Sequence, residues 1–165
     1  MHIALPIALA GGVLILDQGT KHLAEVWFAA NAVPVTPFFN LVLVHNRGVS
    51  FGLLASSHTY LPYALALFSL AIVAGLVVWL WRSDSQLQRV GLAAIIGGAV
   101  SNAFDRLDDG AVTDFLDFYL GTYHWPVFNL ADVAIMGGVA ALMLDTLRPR
   151  STMTDRAARG PTEDD

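Results

Sequence analysis

The sequence predicts an all-α polytopic membrane protein with four transmembrane helices and a small extracytoplasmic β element between helices 1 and 2. Of the 165 residues, 55% are apolar and only 14% are charged, whereas a soluble domain carries about a quarter charged residues. The chain also contains four long, mainly apolar stretches, and roughly 20 helical residues cross a hydrocarbon core of about 30 Å. The predicted spans are residues 3–24, 60–81, 87–104 and 127–147.

These spans are predicted to form one four-helix domain over residues 1–148. The first span resembles a signal-peptide core, but no Lys or Arg precedes it, so we expect a retained helix. Residues 149–165 are short and polar, which predicts a disordered cytoplasmic tail. Small residues spaced four apart favour close helix packing in lipid. They are Ala93, Gly97 and Ser101 in the third span and Gly137 and Ala141 in the fourth.

Residues 33–56 predict the β element. Residues 38–45 are rich in β-forming side chains, and residues 46–48 are typical of a turn. Residues 49–54 are then expected to form the returning strand.

The distribution of Lys and Arg predicts the orientation. Six of these residues lie between spans 2 and 3 or after span 4, and three lie on the opposite side. Because positive loops stay in the cytoplasm, the loop 82–89 and both termini are predicted to be cytoplasmic. The six are Arg82, Arg89, Arg148, Arg150, Arg156 and Arg159, and the three are Lys21, Arg47 and Arg106.

Ionisable side chains near lipid are costly, so each needs a partner or a purpose. Asp17 and Lys21 are four residues apart on one helical face, in the favourable order for an ion pair. They either anchor helix 1 or contribute to a substrate site. Asn102, Asp105 and Arg106 share one face of helix 3. We interpret Asp105 mainly as a buttress, and Arg106 can hold a carboxylate or a backbone carbonyl.

Helix 4 is predicted to begin with Pro126 in its first turn, which places Asn129 and Asp132 together on the bundle face. No cation in helix 4 neutralises Asp132, and its natural partner is Asp114 in the strand-like residues 111–118. Two close carboxylates titrate as a unit, with one kept protonated. Aspartic proteases use such a pair to take a proton from water and to polarise a carbonyl. The spacing alone leaves a proton relay and a structural pair open.

The sequence argues against several other chemistries. It contains no cysteine, which excludes disulfides, thiolate metal sites and a cysteine nucleophile. The five histidines show no metal-ligand spacing, so no metal site is predicted. The G-x-S-x-G pattern at residues 48–52 lacks the large sheet on which that nucleophile motif works. There is also no basic stripe suited to nucleic acid.

Five short motifs contain most of the polar residues discussed above. They are DQGTK from residue 17, HNRGVSFG from 45, GGAVSNAFDR from 97, VTDF from 112 and FNLAD from 128. In this order and in these helix contexts they resemble the lipoprotein signal peptidases (signal peptidase II), the bacterial membrane aspartic peptidases. Two positions depart from the family pattern: Thr113 stands where Val or Ile is usual, and Ser101 where Gly is usual.

The resemblance implies that residues 1–148 are a peptidase domain with Asp114 and Asp132 as its catalytic dyad. The substrate would be a diacylglyceryl-modified prolipoprotein, cut before its lipidated cysteine by dyad-activated water, with no metal or cofactor. Cyclic lipopeptides of the globomycin type would inhibit it. The resemblance also implies the bacterial cytoplasmic (inner) membrane, with the active site near the extracytoplasmic face. The implied supporting residues are Asp17, Lys21, Asn46, Asn102, Asp105, Arg106 and Asn129.

Two other classes of protein are alternatives. A proton-coupled carrier or channel would spread polar residues through the membrane depth. Here they gather towards one end of the helices, with Asp145 as the exception. In a non-enzymatic scaffold, the same carboxylates would be expendable.

Overall fold

A computed structural model describes residues 3–29, 31–48 and 60–147, which contain four helices and four strands. Each predicted span coincides with one helix, and predicted and observed ends differ by at most four residues. The expected returning strand at 49–54 and the tail at 149–165 lie outside the described residues. In chain order the elements are α1 (Ala4–Trp27), β1 (Val33–Thr36), β2 (Phe39–Asn46), α2 (Leu61–Arg82), α3 (Gln86–Asp108), β3 (Val112–Leu120), β4 (Tyr123–His124) and α4 (Leu130–Leu147).

Helix α3 is the centre of the bundle and packs against α1, α2 and α4. Its glycines permit close approach of the neighbouring backbones. A Cβ atom on Gly97 would lie 2.6 Å from the carbonyl oxygen of Ala10 in α1, and one on Gly98 would lie 2.5 Å from that of Ala131 in α4. These contacts confirm Gly97 as a packing position and place α1 and α4 on neighbouring faces of α3, where the two helices also contact each other.

The predicted packing position in α4 is wrong by one residue. Gly137 has nothing within 4 Å of a Cβ built on it, whereas a Cβ on Gly138 would lie 2.5 Å from the carbonyl oxygen of Gly91. Ala141 does face α3, since its Cβ is 3.2 Å from a Cβ built on Gly91. Neighbouring residues of a helix point about 100° apart, so Gly137 points outward when Gly138 points inward.

Two of the described helices, α2 and α4, are long and apolar enough to cross a membrane. Length does not separate them from the others, because α1 has 24 residues and α3 has 23, against 18 in α4. Helices α1 and α3 differ by their polar residues, many of which are buried. The two apolar helices, α2 and α4, support the prediction that the chain is a membrane protein.

The β structure is larger than the sequence predicts. Strand β1 pairs antiparallel with β2, and β2 pairs with β3, in a sheet of order β1-β2-β3-β4. A β element confined to residues 33–56 is therefore wrong, because the connection between α3 and α4 supplies two strands. A local pattern identifies a strand but not its distant partner, which is chosen by register and burial.

Helix α4 also begins later than predicted. The sequence places Pro126 in the first turn, but the helix starts at Leu130. Asn129 Oδ1 accepts a hydrogen bond from the Asp132 amide at 3.0 Å, and Asp132 Oδ2 accepts one from the Asn129 amide at 3.3 Å. This reciprocal arrangement is a capping box, with Asn129 as the N-cap, so that the helix begins at Leu130.

Candidate active site

Asp114 and Asp132 line one cavity of about 170 Å³ between α2, α3 and the sheet. Asp132 comes from the capping box at the start of α4, and Asp114 comes from β3. The fold thus brings together two carboxylates from separate elements, as the sequence expects. The other lining residues are Asn46, Gly48, Leu65, Phe68, Ser69, Asn102, Arg106 and Val112.

Buried asparagine side chains connect the two carboxylates. The Asn129 side-chain amide donates to Asp114 Oδ1 at 2.7 Å. Asn102 Nδ2 donates to Asp132 Oδ1 at 2.9 Å, and Asn102 Oδ1 accepts from Asn129 Nδ2 at 3.2 Å. Because each carboxylate is held by an amide donor, its orientation towards the cavity is set before any ligand binds.

The environment of Asp114 favours its protonated form. Burial raises the pKa of this carboxyl to about 6, and the nearby Asp132 carboxylate also raises it. The side-chain amide of Asn46, 3.1 Å from Asp114 Oδ2, and that of Asn129 oppose this by lowering the pKa. Asp114 can therefore gain or lose a proton not far from neutral pH, which suits an acid or base catalyst.

A buried ion cluster lies behind the cavity. The predicted ion pair between Lys21 and Asp17 is confirmed at 2.6 Å, and Asp105 lies at the same distance from the Lys21 ammonium. Lys21 also donates to Asn102 Oδ1 at 2.9 Å. Asp17 Oδ1 accepts from the backbone amide of Ala131 at 2.8 Å. The cluster thus ties α1 and α3 to the first turn of α4, next to Asp132.

Arg106 lines the cavity from α3. Its Nη1 donates to the Asn102 carbonyl oxygen at 3.2 Å, so the described bond is to a backbone carbonyl rather than to a carboxylate. Its buried Nε has no hydrogen-bond partner within residues 3–29, 31–48 and 60–147. A guanidinium has five N–H donors, so one that lines a polar cavity can bind a carbonyl oxygen of a ligand.

Two further polar residues belong to this cluster and were not predicted as site residues. Gln18 Nε2 donates to Asp105 Oδ1 at 2.6 Å and to Ser101 Oγ at 2.9 Å. Ser101 Oγ in turn donates to Asp17 Oδ2 at 2.7 Å. These partners are more than 80 residues apart along the chain. Both residues lie in the short motifs named above, but a local motif does not specify a distant partner.

Most of the chain matches known proteins in sequence. The family described as signal peptidase (SPase) II matches residues 9–148. The lipoprotein signal peptidase of Methylorubrum extorquens (strain PA1) is 44% identical over 154 residues, which cover 89% of each chain. That of Rhodopseudomonas palustris (strain TIE-1) is 43% identical over 152 residues, covering 88% of this chain and 93% of the relative.

Solved structures agree with the sequence comparison. A bacterial membrane enzyme determined by the in meso method at 1.9 Å resolution matches with a TM-score of 0.76 and 27% identity, over 90% of this chain and 96% of that one. A second bacterial membrane enzyme, at 2.3 Å resolution, gives 0.75 and 25% identity, over 99% and 96%. The match is thus to whole proteins rather than to a fragment, and the chain belongs to the signal peptidase II family.

Proposed function

We propose that this chain is a membrane aspartic endopeptidase that removes the signal peptide from diacylglyceryl-modified prolipoproteins, cutting just before the lipidated cysteine. Membership of the signal peptidase II family supports removal of signal peptides from prolipoproteins. The observation that supports an aspartic mechanism is that Asp114 and Asp132 line one cavity and that Asn129 is hydrogen bonded to both residues. Two carboxylates in this arrangement suit hydrolysis of a peptide bond by activated water.

In the proposed reaction the two carboxylates share one proton. The ionised member takes a proton from water while the water oxygen attacks the scissile carbonyl carbon, and the protonated member gives its proton to the carbonyl oxygen. The resulting diol then collapses and its C–N bond breaks. One hydroxyl proton returns to the carboxylate that gave its proton to the carbonyl oxygen, and the leaving nitrogen takes a proton from the carboxyl that accepted one from water. The dyad ends with one proton, as it began, without a covalent enzyme intermediate.

The surrounding residues are proposed to hold the dyad and the substrate. Asn46, Asn102 and Asn129 orient the carboxylates by their amide donors. The guanidinium of Arg106, which lines the cavity, is suited to a carbonyl oxygen of the bound signal peptide. The supporting cluster of Asp17, Lys21 and Asp105 is proposed to hold α1, α3 and α4 in place around them.

We further propose that all four helices span the bacterial cytoplasmic (inner) membrane, with both termini in the cytoplasm and the active site near the extracytoplasmic face. The polar clusters lie at the C-terminal ends of α1 and α3 and at the N-terminal end of α4, which form one end of the bundle. Arg82 and Arg89 lie at the other end. Asp17 and Lys21 of α1 are buried, whereas Ile15 and Leu16 are exposed and suited to lipid.

The decisive experiment is cleavage of a lipid-modified precursor peptide by the purified full chain in lipid vesicles. Asp114→Asn and Asp132→Asn are each expected to lower kcat by about 10³-fold or more, because neither amide can exchange the required proton. Asp84→Asn, which removes an exposed carboxylate at the opposite end of the bundle, is the matched control. Retained cleavage by either dyad variant in folded form contradicts the proposed mechanism.

Substrate and inhibitor classes are tested in the same assay. The same precursor without its diacylglyceryl group is expected to be cleaved far more slowly, and a globomycin-type cyclic lipopeptide is expected to inhibit. Equal cleavage of both precursors would contradict the lipid requirement, and no inhibition at saturating lipopeptide would contradict the expected inhibitor class.

A further inference from the structure

Glu25, near the C-terminal end of α1, joins this helix to two strands through one carboxylate oxygen. Its Oε1 accepts a hydrogen bond from Thr113 Oγ1 on β3 at 3.0 Å and lies 2.9 Å from His45 Nε2 on β2. His45 and Thr113 are directly opposite each other in the β2–β3 ladder. One acceptor therefore holds a cross-strand pair against the helix. We call Glu25, His45 and Thr113 the Glu25 clamp.

The Glu25 clamp lies next to groups of the candidate active site without entering it. Asn46 follows His45 in β2, Asp114 follows Thr113 in β3, and Asn46 donates to Asp114 at 3.1 Å. Successive side chains of a strand point to opposite faces. Asn46 and Asp114 accordingly line the cavity, while His45 and Thr113 contact Glu25. Any influence of the clamp on the cavity passes through the strand backbones.

Thr113 is held from three directions. Its backbone amide donates to Asp105 Oδ2 at 3.3 Å, its carbonyl oxygen accepts from Asn129 at 3.4 Å, and its hydroxyl donates to Glu25. A Val or Ile at this position would make the first two bonds through its backbone but not the third. Thr113 is buried, and a buried hydroxyl needs a hydrogen-bond partner. The Glu25 carboxylate is that partner.

We infer that Glu25 is a positioning residue of the peptidase, which sets the place of Asp114 and Asn46 through Thr113 and His45. This inference rests on the proposed catalytic role of Asp114. A misplacement of about 1 Å can lower an enzymatic rate about 10²-fold. Loss of the Glu25 clamp therefore slows the chemical step. Substrate binding stays nearly unchanged, because Glu25, His45 and Thr113 do not line the cavity.

The test uses the full chain in lipid vesicles with a diacylglyceryl-modified precursor peptide. Glu25→Ala is expected to lower kcat about 10-fold, to change KM less than about 2-fold, and to shift the pH profile of kcat/KM because the contact between Asn46 and Asp114 loosens. Glu25→Gln keeps an oxygen acceptor and is expected to restore most of kcat. Asp84→Ala, which removes an exposed carboxylate at the other end of the bundle, is expected to behave as wild type.

Thr113→Val provides a second, nearly isosteric test that removes only the hydroxyl. Thr113→Val is expected to show part of the loss of kcat seen in Glu25→Ala. In the double variant the fold-loss of kcat is expected to be smaller than the product of the two single fold-losses, because both substitutions remove the same contact. Wild-type kcat in Thr113→Val, or a loss in Glu25→Ala that Glu25→Gln does not restore, contradicts the inference. Asp114→Asn is measured alongside: activity in this variant overturns the proposed function, whereas an inactive Asp114→Asn with fully active clamp variants overturns only the role of Glu25.

Discussion

The side-chain amide of Asn129 donates a hydrogen bond to Asp114 at 2.7 Å, and Asn129 is also the cap of the helix that begins with Asp132 in its first turn. One fully buried side chain thus links the strand that carries one carboxylate to the helix that carries the other. The link needs both halves of an amide: the nitrogen donates to Asp114, and the oxygen accepts from the Asp132 backbone.

Replacing Asn129 is therefore expected to affect both carboxylates. Asn129→Ala removes the donor to Asp114 and the helix cap, and we expect kcat to fall about 10²-fold and stability to fall by about 1 kcal/mol from loss of the cap. Precursor cleavage and thermal unfolding in detergent measure the two effects. Thr146→Ala, which removes an exposed side-chain hydrogen bond at the other end of α4, is the control. An Asn129→Ala enzyme with wild-type kcat would show that the link is dispensable.

The raised pKa of Asp114 predicts a pH dependence of cleavage. Burial and the nearby Asp132 carboxylate raise this pKa to about 6, and the proposed reaction needs one protonated carboxyl. In the free enzyme a proton on Asp114 is present below about pH 6 and is lost above it. We therefore expect kcat/KM to decline as the pH rises through this value. The decline in kcat is expected at higher pH, because a bound substrate removes more water from the carboxyl group.

Asn46 tests the origin of this pH profile. Its amide donor lowers the pKa of Asp114, so Asn46→Ala is expected to move the decline of kcat/KM to higher pH. Asn40 lies on the same strand but bonds to Asp117, and Asn40→Ala is expected to leave the profile in place. An unchanged profile in Asn46→Ala would assign the decline to another group.

The helices and the position of Asp132 on the inner side of α4 could be predicted from the sequence because their signals are local. A span is visible as a run of apolar residues, and a costly carboxylate near lipid is conspicuous by itself. The Lys21–Asp17 pair could also be predicted, since a spacing of four residues defines the contact in a helix.

The sheet and the support of the site could not be predicted in the same way. The pairing of β2 with β3 joins residues such as Val44 and Asp114, which lie in different connections. The three contacts of Thr113 likewise depend on how α1, α3 and α4 pack. The start of α4 was misplaced because Pro126 and Asn129 are both suitable near a helix N-terminus, and the choice was made by the bonds of Asn129 to Asp114 and Asp132.

Lys21 is the only cation within bonding distance of Asp17 and Asp105 among the described residues. Lys21→Met leaves these two buried carboxylates without their charge partner, and we expect the free energy of unfolding to fall by about 3–5 kcal/mol. Adding Asp105→Asn to Lys21→Met is expected to recover part of this loss, because one uncompensated charge is removed. Unfolding in mixed micelles measures both variants. A fully stable Lys21→Met protein would show that the cluster is solvated or protonated rather than ionic.

The glycines of α4 offer a matched pair of variants for the bundle itself. A Cβ on Gly138 would lie 2.5 Å from the Gly91 carbonyl oxygen, whereas one on its neighbour Gly137 would meet nothing within 4 Å. Gly138→Ala is therefore expected to push α4 away from α3 and to lower the free energy of unfolding by about 1–3 kcal/mol. Gly137→Ala is expected to be neutral or to stabilise by up to about 1 kcal/mol, because alanine favours a helix more than glycine does.

Unfolding in micelles measures both variants. If both substitutions had the same effect, α4 would not approach α3 through Gly138. Because Asp132 is in the first turn of α4, we also expect Gly138→Ala, but not Gly137→Ala, to lower kcat.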